Sequence, residues 1–206
     1  QAVHPRPDKV RGLFGYDYDA HGSVCQDLVE DRLRFALVVD SPEAGAIARA
    51  QAAGIPYFVV ERKDFAGKAE MDGRIVEILE GKRADLVVLA GYMRIVGKEL
   101  LGKFEGRMIN IHPSLLPSFP GLDAQKQAFG HGAKVSGCTV HFVDGGTDTG
   151  PIIEQVPVYI GDCRDAHEVA ERILPYEHKA MRTVVGNFSK GKYVVEGRRV
   201  RYEGGL

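Results

Sequence analysis

The chain is poor in the features that mark several protein classes. Its three cysteines, Cys25, Cys138 and Cys163, lie far apart and form no C-x-x-C pair. An odd, scattered set argues against a disulfide framework or a zinc site, and a reducing cytoplasm fits it best. No stretch approaches the roughly 18 consecutive apolar residues of a membrane span. Charge of one sign is not in excess: 27 Lys and Arg against 28 Asp and Glu leave a formal net charge of −1. No global basic field draws the chain to nucleic acid or to an anionic membrane, so an anionic ligand must be held by local groups. Internal repeats, low-complexity tracts, a G-x-S-x-G elbow and a reactive Cys-His signature are all missing. The opening QAVHPRPDKVRG lacks the apolar core of a signal peptide, and residues 1–10 read as a flexible arm.

What is present suits one domain over residues 1–206, with 44% apolar residues to fill a core. Short apolar runs rich in β-branched residues alternate with segments of helical period. That alternation predicts an α/β fold, a Rossmann-like and mostly parallel sheet with helices on both faces. Phe35–Val39, Tyr57–Val60, Asp85–Ala90, Met108–His112, Ser136–Val143 and Ile152–Ile160 read as strands. Residues 43–53 read as a helix closed by Gly54. Met71, Ile75, Ile78 and Leu79 form one apolar helical face. Residues 122–130 suit a short helix and 165–185 a longer one, with Pro175 expected to kink it. Two strand-like pieces, Lys192–Val195 and Arg199–Tyr202, follow as a C-terminal extension with Glu196-Gly197 as their turn.

Two segments do not read as ordinary core. In NIHPSLLPSFPG, Asn110 to Gly121, Asn110 and His112 stand two apart on a strand and project from the same face. Pro113 keeps His112 extended, and Pro117 and Pro120 stiffen the exit loop. The carboxyl end of a parallel strand is where open α/β sheets place ligands. The second segment, VDGGTDTGPII, runs from Val143 to Ile153 and holds Asp144, Asp148 and three glycines. Alone it reads as a hairpin-like turn, since two carboxylates are too few for a calcium loop. Together, an Asn, a His and an Asp on neighbouring strand ends can serve acyl transfer without a nucleophilic side chain. Asn and a protonated His donate to a developing oxyanion, while Asp keeps the His charged and passes protons. Direct attack by a substrate amine is then the economical mechanism.

With VSGCTVHFVDGGTDTGPII following it at Val135 and ADLVVLAGYMRIV upstream, NIHPSLLPSFPGLDA resembles the phosphoribosylglycinamide formyltransferases, a branch of the folate-dependent formyltransferases. The likeness runs from about Phe35 to about His178. It implies that Asn110, His112 and Asp148 are catalytic. It implies a folate pocket lined by Tyr92, Met93, Arg94, Ile95 and Val96 and by Val143 and Asp144. Thr139 and His141 match residues that support the His–Asp pair, although a plain alternating strand explains them equally. On the substrate side it implies Pro113 and Glu177, and a phosphate-holding loop at Gly22, Ser23 and Val24. That loop departs from the family's SGNGSN form. Here it reads DAHGSV, keeping Gly22 and Ser23 but not the first glycine or either asparagine, and Asp19 adds a negative charge.

The implied reaction moves the formyl group of 10-formyltetrahydrofolate, a co-substrate, to the amine of glycinamide ribonucleotide in purine synthesis. No metal, nucleic acid or membrane is expected to take part, and the chain is expected to be a monomer or homodimer. The alternatives are a formyltetrahydrofolate hydrolase, which delivers formyl to water, and a non-catalytic folate-binding homologue.

Overall fold

The computed structural model describes residues 35–92 and 94–204, together with the backbone of 13–15. The expected arm at 1–10, the loop residues Gly22, Ser23 and Val24, and Met93 lie outside the described residues.

Among the described residues one sheet gathers β1 (Leu13–Gly15), β2 (Leu37–Val39), β3 (Tyr57–Val59), β4 (Val87–Ala90), β5 (Met108–His112), β6 (Val135–Phe142), β7 (Ile152–Tyr159), β8 (Gly191–Glu196) and β9 (Arg199–Gly204). Their order is β3-β2-β1-β4-β5-β6-β7-β9-β8. The first five strands are all parallel. β6 then runs antiparallel to both β5 and β7, so VDGGTDTGPII is the connection of a long hairpin, and β7 pairs in parallel with β9. The strand order reverses between β1 and β4, and the carboxyl ends at such a switch point frame a crevice.

Alternation along each buried strand splits the core into two layers. Leu37, Val39, Val88, Ile109 and Val140 face one cluster with α1 (Gly45–Ala52) and α5 (Ala166–Lys190). Val38, Val87, Leu89 and Met108 face the other, with α2 (Lys68–Gly81) and α3 (Lys98–Phe104). Met71, Ile75, Ile78 and Leu79 are all buried, as their spacing requires. The short α4 (Ala124–Gly130) follows the Asn110–Gly121 segment.

Two local expectations change. The long helix contains Pro175, as its sequence reads, but continues to Lys190 rather than stopping near residue 185. Val169, Ile173, Ala180, Met181, Val184 and Phe188 are buried along one side of it, on both sides of the proline. Packing of that stripe outweighs the single hydrogen bond that Pro175 cannot donate. In the C-terminal hairpin, Glu196 pairs with Arg199, so the turn is Gly197-Arg198 rather than Glu196-Gly197. Gly197 takes the positive φ, 63°, that a tight hairpin turn requires at its first position.

Candidate active site

β5 delivers Asn110 and His112 at its carboxyl end, and the antiparallel ladder sets His141 opposite Asn110 and Thr139 opposite His112. The His112 ring is buried with both nitrogens facing acceptors. Its Nε2–H donates to the Phe119 carbonyl at 2.8 Å, and its Nδ1 lies 3.3 Å from Asp148 Oδ2. An imidazolium has a proton on each nitrogen and satisfies both; a neutral ring has one proton only.

Asp148 does not sit at a strand end. It projects from the β6–β7 connection with φ 54°, a left-handed conformation that is costly for a residue with a Cβ. Its Oδ2 also accepts the Gly121 N–H at 2.7 Å. The exit loop thus grips both partners, the imidazole through a carbonyl and the carboxylate through an N–H.

His141 plays a different part. Its Nδ1–H donates to the Phe142 carbonyl at 2.8 Å, which leaves Nε2 as a lone-pair acceptor facing Asn110 Nδ2 at 3.3 Å. Burial pushes the His141 pKa down against the pull of the Phe142 carbonyl and the Asp148 carboxylate, keeping the ring neutral. Asp148 Oδ1 is 3.7 Å from Nε2, too far for a hydrogen bond. One N–H of Asn110 is therefore fixed on His141 and the other is left to donate elsewhere.

These groups border a cavity of about 860 Å³. Tyr92, Arg94, Ile95, Val96, Pro113, Val143, Asp144 and Glu177 line it as well. Ile95 is 71% exposed, an apolar side chain held at the rim. Arg94 pairs with Asp40 at 3.1 Å and Asp144 folds onto its own loop, accepting from Gly146 N and Thr149 Oγ1. Both polar side chains are thus engaged in shaping the wall. Burial and the nearby Asp72 charge raise the Tyr92 phenol to about 12, so it stays protonated. Glu177 is buried on α5; its Oε1 has no partner among the described residues, and burial raises its pKa to about 7.

Thr139, paired with His112 across the sheet, bonds to the loop that follows His112. Its hydroxyl donates to the Ser114 carbonyl at 2.7 Å and accepts from Leu116 N at 3.1 Å and Gln155 Nε2 at 3.0 Å. One proton and two lone pairs are then all committed. Sequence reasoning missed the Phe119 carbonyl and the Gly121 N–H, because backbone groups carry no residue-type signal. It also missed Leu122, which is 66% exposed at the cavity. Among the described residues no helix is long and apolar enough to cross a membrane.

Residues 24–185 match the formyl transferase family model. The phosphoribosylglycinamide formyltransferase of Bacillus subtilis strain 168 is 48% identical over 149 residues, covering 72% of this chain and 76% of that protein. The trifunctional purine biosynthetic protein adenosine-3 of Drosophila melanogaster is 45% identical over 144 residues; the match covers 70% of this chain and 11% of that longer protein. Among solved structures, glycinamide ribonucleotide transformylase 1 from Symbiobacterium toebii superposes with a TM-score of 0.87 at 37% identity, covering 96% of this chain and 95% of the other. The chain belongs to the formyl transferase family.

Proposed function

We propose that this chain transfers the formyl group of 10-formyltetrahydrofolate to the amine of glycinamide ribonucleotide, as a step of purine synthesis. The names of its relatives support the acceptor, and a trifunctional purine biosynthetic protein among them supports the pathway. The observation that carries the chemistry is the His112 ring held between the Phe119 carbonyl and Asp148, two residues along the strand from Asn110.

The glycinamide amine attacks the formyl carbon in its neutral form. A C–N bond forms, and the carbonyl oxygen becomes an oxyanion. Nε2–H of His112 is engaged by Phe119, so the ring donates to the oxyanion through Nδ1–H, on the side shared with Asp148. The free N–H of Asn110 is the second donor. Each preorganised donor of this type is worth about 3–4 kcal/mol in the transition state. When the intermediate collapses, the bond to the folate nitrogen breaks. One proton passes from the amine to that nitrogen, with Asp148 as the relay. Glu177 offers an unpaired carboxylate oxygen to the polar end of the acceptor.

The test is release of deformylated folate with and without glycinamide ribonucleotide. Product that depends on the ribonucleotide is the expected result. Equal product in its absence means hydrolysis, and folate binding with no product means a binding protein.

A further inference from the structure

His112, Thr139 and Gln155 stand side by side on three consecutive strands. The ladder pairs His112 with Thr139 across β5 and β6, and Thr139 with Gln155 across β6 and β7. Directly opposed residues share a face of the sheet and lie within side-chain reach. The row begins at the imidazole and ends at a residue exposed on the molecular surface.

The hydrogen bonds along this row all converge on one short piece of chain. Thr139, fully buried, donates to the Ser114 carbonyl and accepts the Leu116 N–H. Gln155 Nε2 gives one hydrogen to Thr139 Oγ1 at 3.0 Å and the other to the Leu116 carbonyl at 2.9 Å. The Ser114 hydroxyl in turn donates to the Ser118 carbonyl, at the far side of the same bend. Three and five residues beyond Leu116 come the two backbone groups that hold the candidate catalytic pair: the Phe119 carbonyl on His112 Nε2 and the Gly121 N–H on Asp148 Oδ2.

We propose that Gln155, acting through Thr139, is a positioning residue that fixes the 114–121 loop so that its backbone orients His112 and Asp148. The arrangement demands a carboxamide. Two donors are needed at the end of the residue 155 side chain, because Leu116 presents a carbonyl and the Thr139 proton is already given to Ser114. A carboxylate of the same shape would set oxygen against oxygen at about hydrogen-bond distance and push the loop away. Since Gln155 is exposed, that one-atom change removes no core packing.

The test is Gln155→Glu in the full chain, with Thr139→Val and Thr139→Ser beside it. Its activity arm rests on the formyl-transfer reading above; its second arm does not. In Gln155→Glu, kcat for formyl transfer is expected to fall roughly 10- to 100-fold, the scale on which displacements of about 1 Å act. KM for both substrates is expected to stay within about twofold and the melting temperature within a few degrees. Thr139→Val should show the same kcat loss, and Thr139→Ser, which keeps the hydroxyl, should restore it. In the second arm, NMR of the His112 ring should show an Nε2–H protected by the Phe119 carbonyl in the wild type and in Thr139→Ser, and exchange-broadened in Gln155→Glu.

A Gln155→Glu protein with kcat within twofold and an unchanged Nε2–H resonance overturns the proposal. A lowered melting temperature with unchanged kcat also overturns it, because the residue is then only structural. If Thr139→Val does not fold, the surface variant still decides. A wild type that transfers no formyl group, yet shows the resonance change in Gln155→Glu, overturns the reaction reading and leaves the positioning role supported.

Discussion

The Oδ2 atom of Asp148 lies 3.3 Å from Nδ1 of His112 and accepts the Gly121 N–H at 2.7 Å. One carboxylate oxygen thus ties a β-strand residue, the loop that follows it and the next hairpin into one unit. Asp148→Asn keeps the shape and tolerates the left-handed backbone, but removes the negative charge that faces His112 Nδ1. Turnover is expected to fall at least about a hundredfold, with a melting temperature within a few degrees of the wild type. Steady-state kinetics and thermal unfolding on the same preparation check this.

The amide of Asn110 leans on a histidine that burial keeps neutral. Asn110→Ala removes the proposed oxyanion donor and should lower kcat roughly 10²–10³-fold, whereas KM for the ribonucleotide should change little. His141→Ala should give a smaller kcat loss, and Asn110→Ala/His141→Ala no more than the first substitution alone. A double-mutant cycle reads that non-additivity.

Glu177 and His141 give stability opposite slopes with pH. Burial raises the Glu177 pKa from 4.5 to about 7, a difference of 7 − 4.5 = 2.5. Its folded carboxyl binds a proton that the unfolded one has lost, so stability declines as pH rises from about 4.5 to about 7. At 1.36 kcal/mol per unit, the ionised group costs up to about 3 kcal/mol above that window. Glu177→Gln should therefore raise the melting temperature at pH 8 while weakening ribonucleotide binding. His141 is held below its ordinary value, so lowering the pH below about 6.5 charges it in the unfolded state first and destabilises the fold. Denaturant titrations at pH 5, 6.5 and 8 on both proteins separate the two slopes.

Asp72 lies against Gly97, the residue that follows Val96 of the cavity wall. A Cβ on Gly97 would stand 1.6 Å from Asp72 Oδ2, so the carboxylate occupies the place of a side chain. Lys68 Nζ meets the Ile95 carbonyl from the same helix. Gly97→Ala should destabilise the chain and raise KM for the folate donor. Gly97→Ala/Asp72→Ala should recover part of the KM, which rules out a general folding defect as the cause.

The order of most strands and helices was legible because β-branched runs and an i, i+4, i+7 stripe are local signals; the short α3, with only Leu100 and Phe104 buried, and the three-residue β1 were not read. The same alternation placed Asn110 and His112 on one face. Asp148 was legible only by resemblance: nothing in VDGGTDTGPII announces that a hairpin will fold its carboxylate back onto the 110–121 segment in a left-handed turn. Gln155 was illegible for a further reason. Its partner depends on the β6–β7 register, which shifts between Val140 and His141, and a register is a property of two strands together. The reversed direction of β6 escaped in the same way, since an apolar run does not record which way its neighbour points.

The single-turnover rate of folate release with glycinamide ribonucleotide in His112→Ala, set beside the wild type, bears most directly on the site. The expected result is a fall of at least about a hundredfold in a protein that unfolds at nearly the same temperature. A rate close to that of the wild type would contradict the account, because the ring clasped by Phe119 and Asp148 would then take no part in the chemistry.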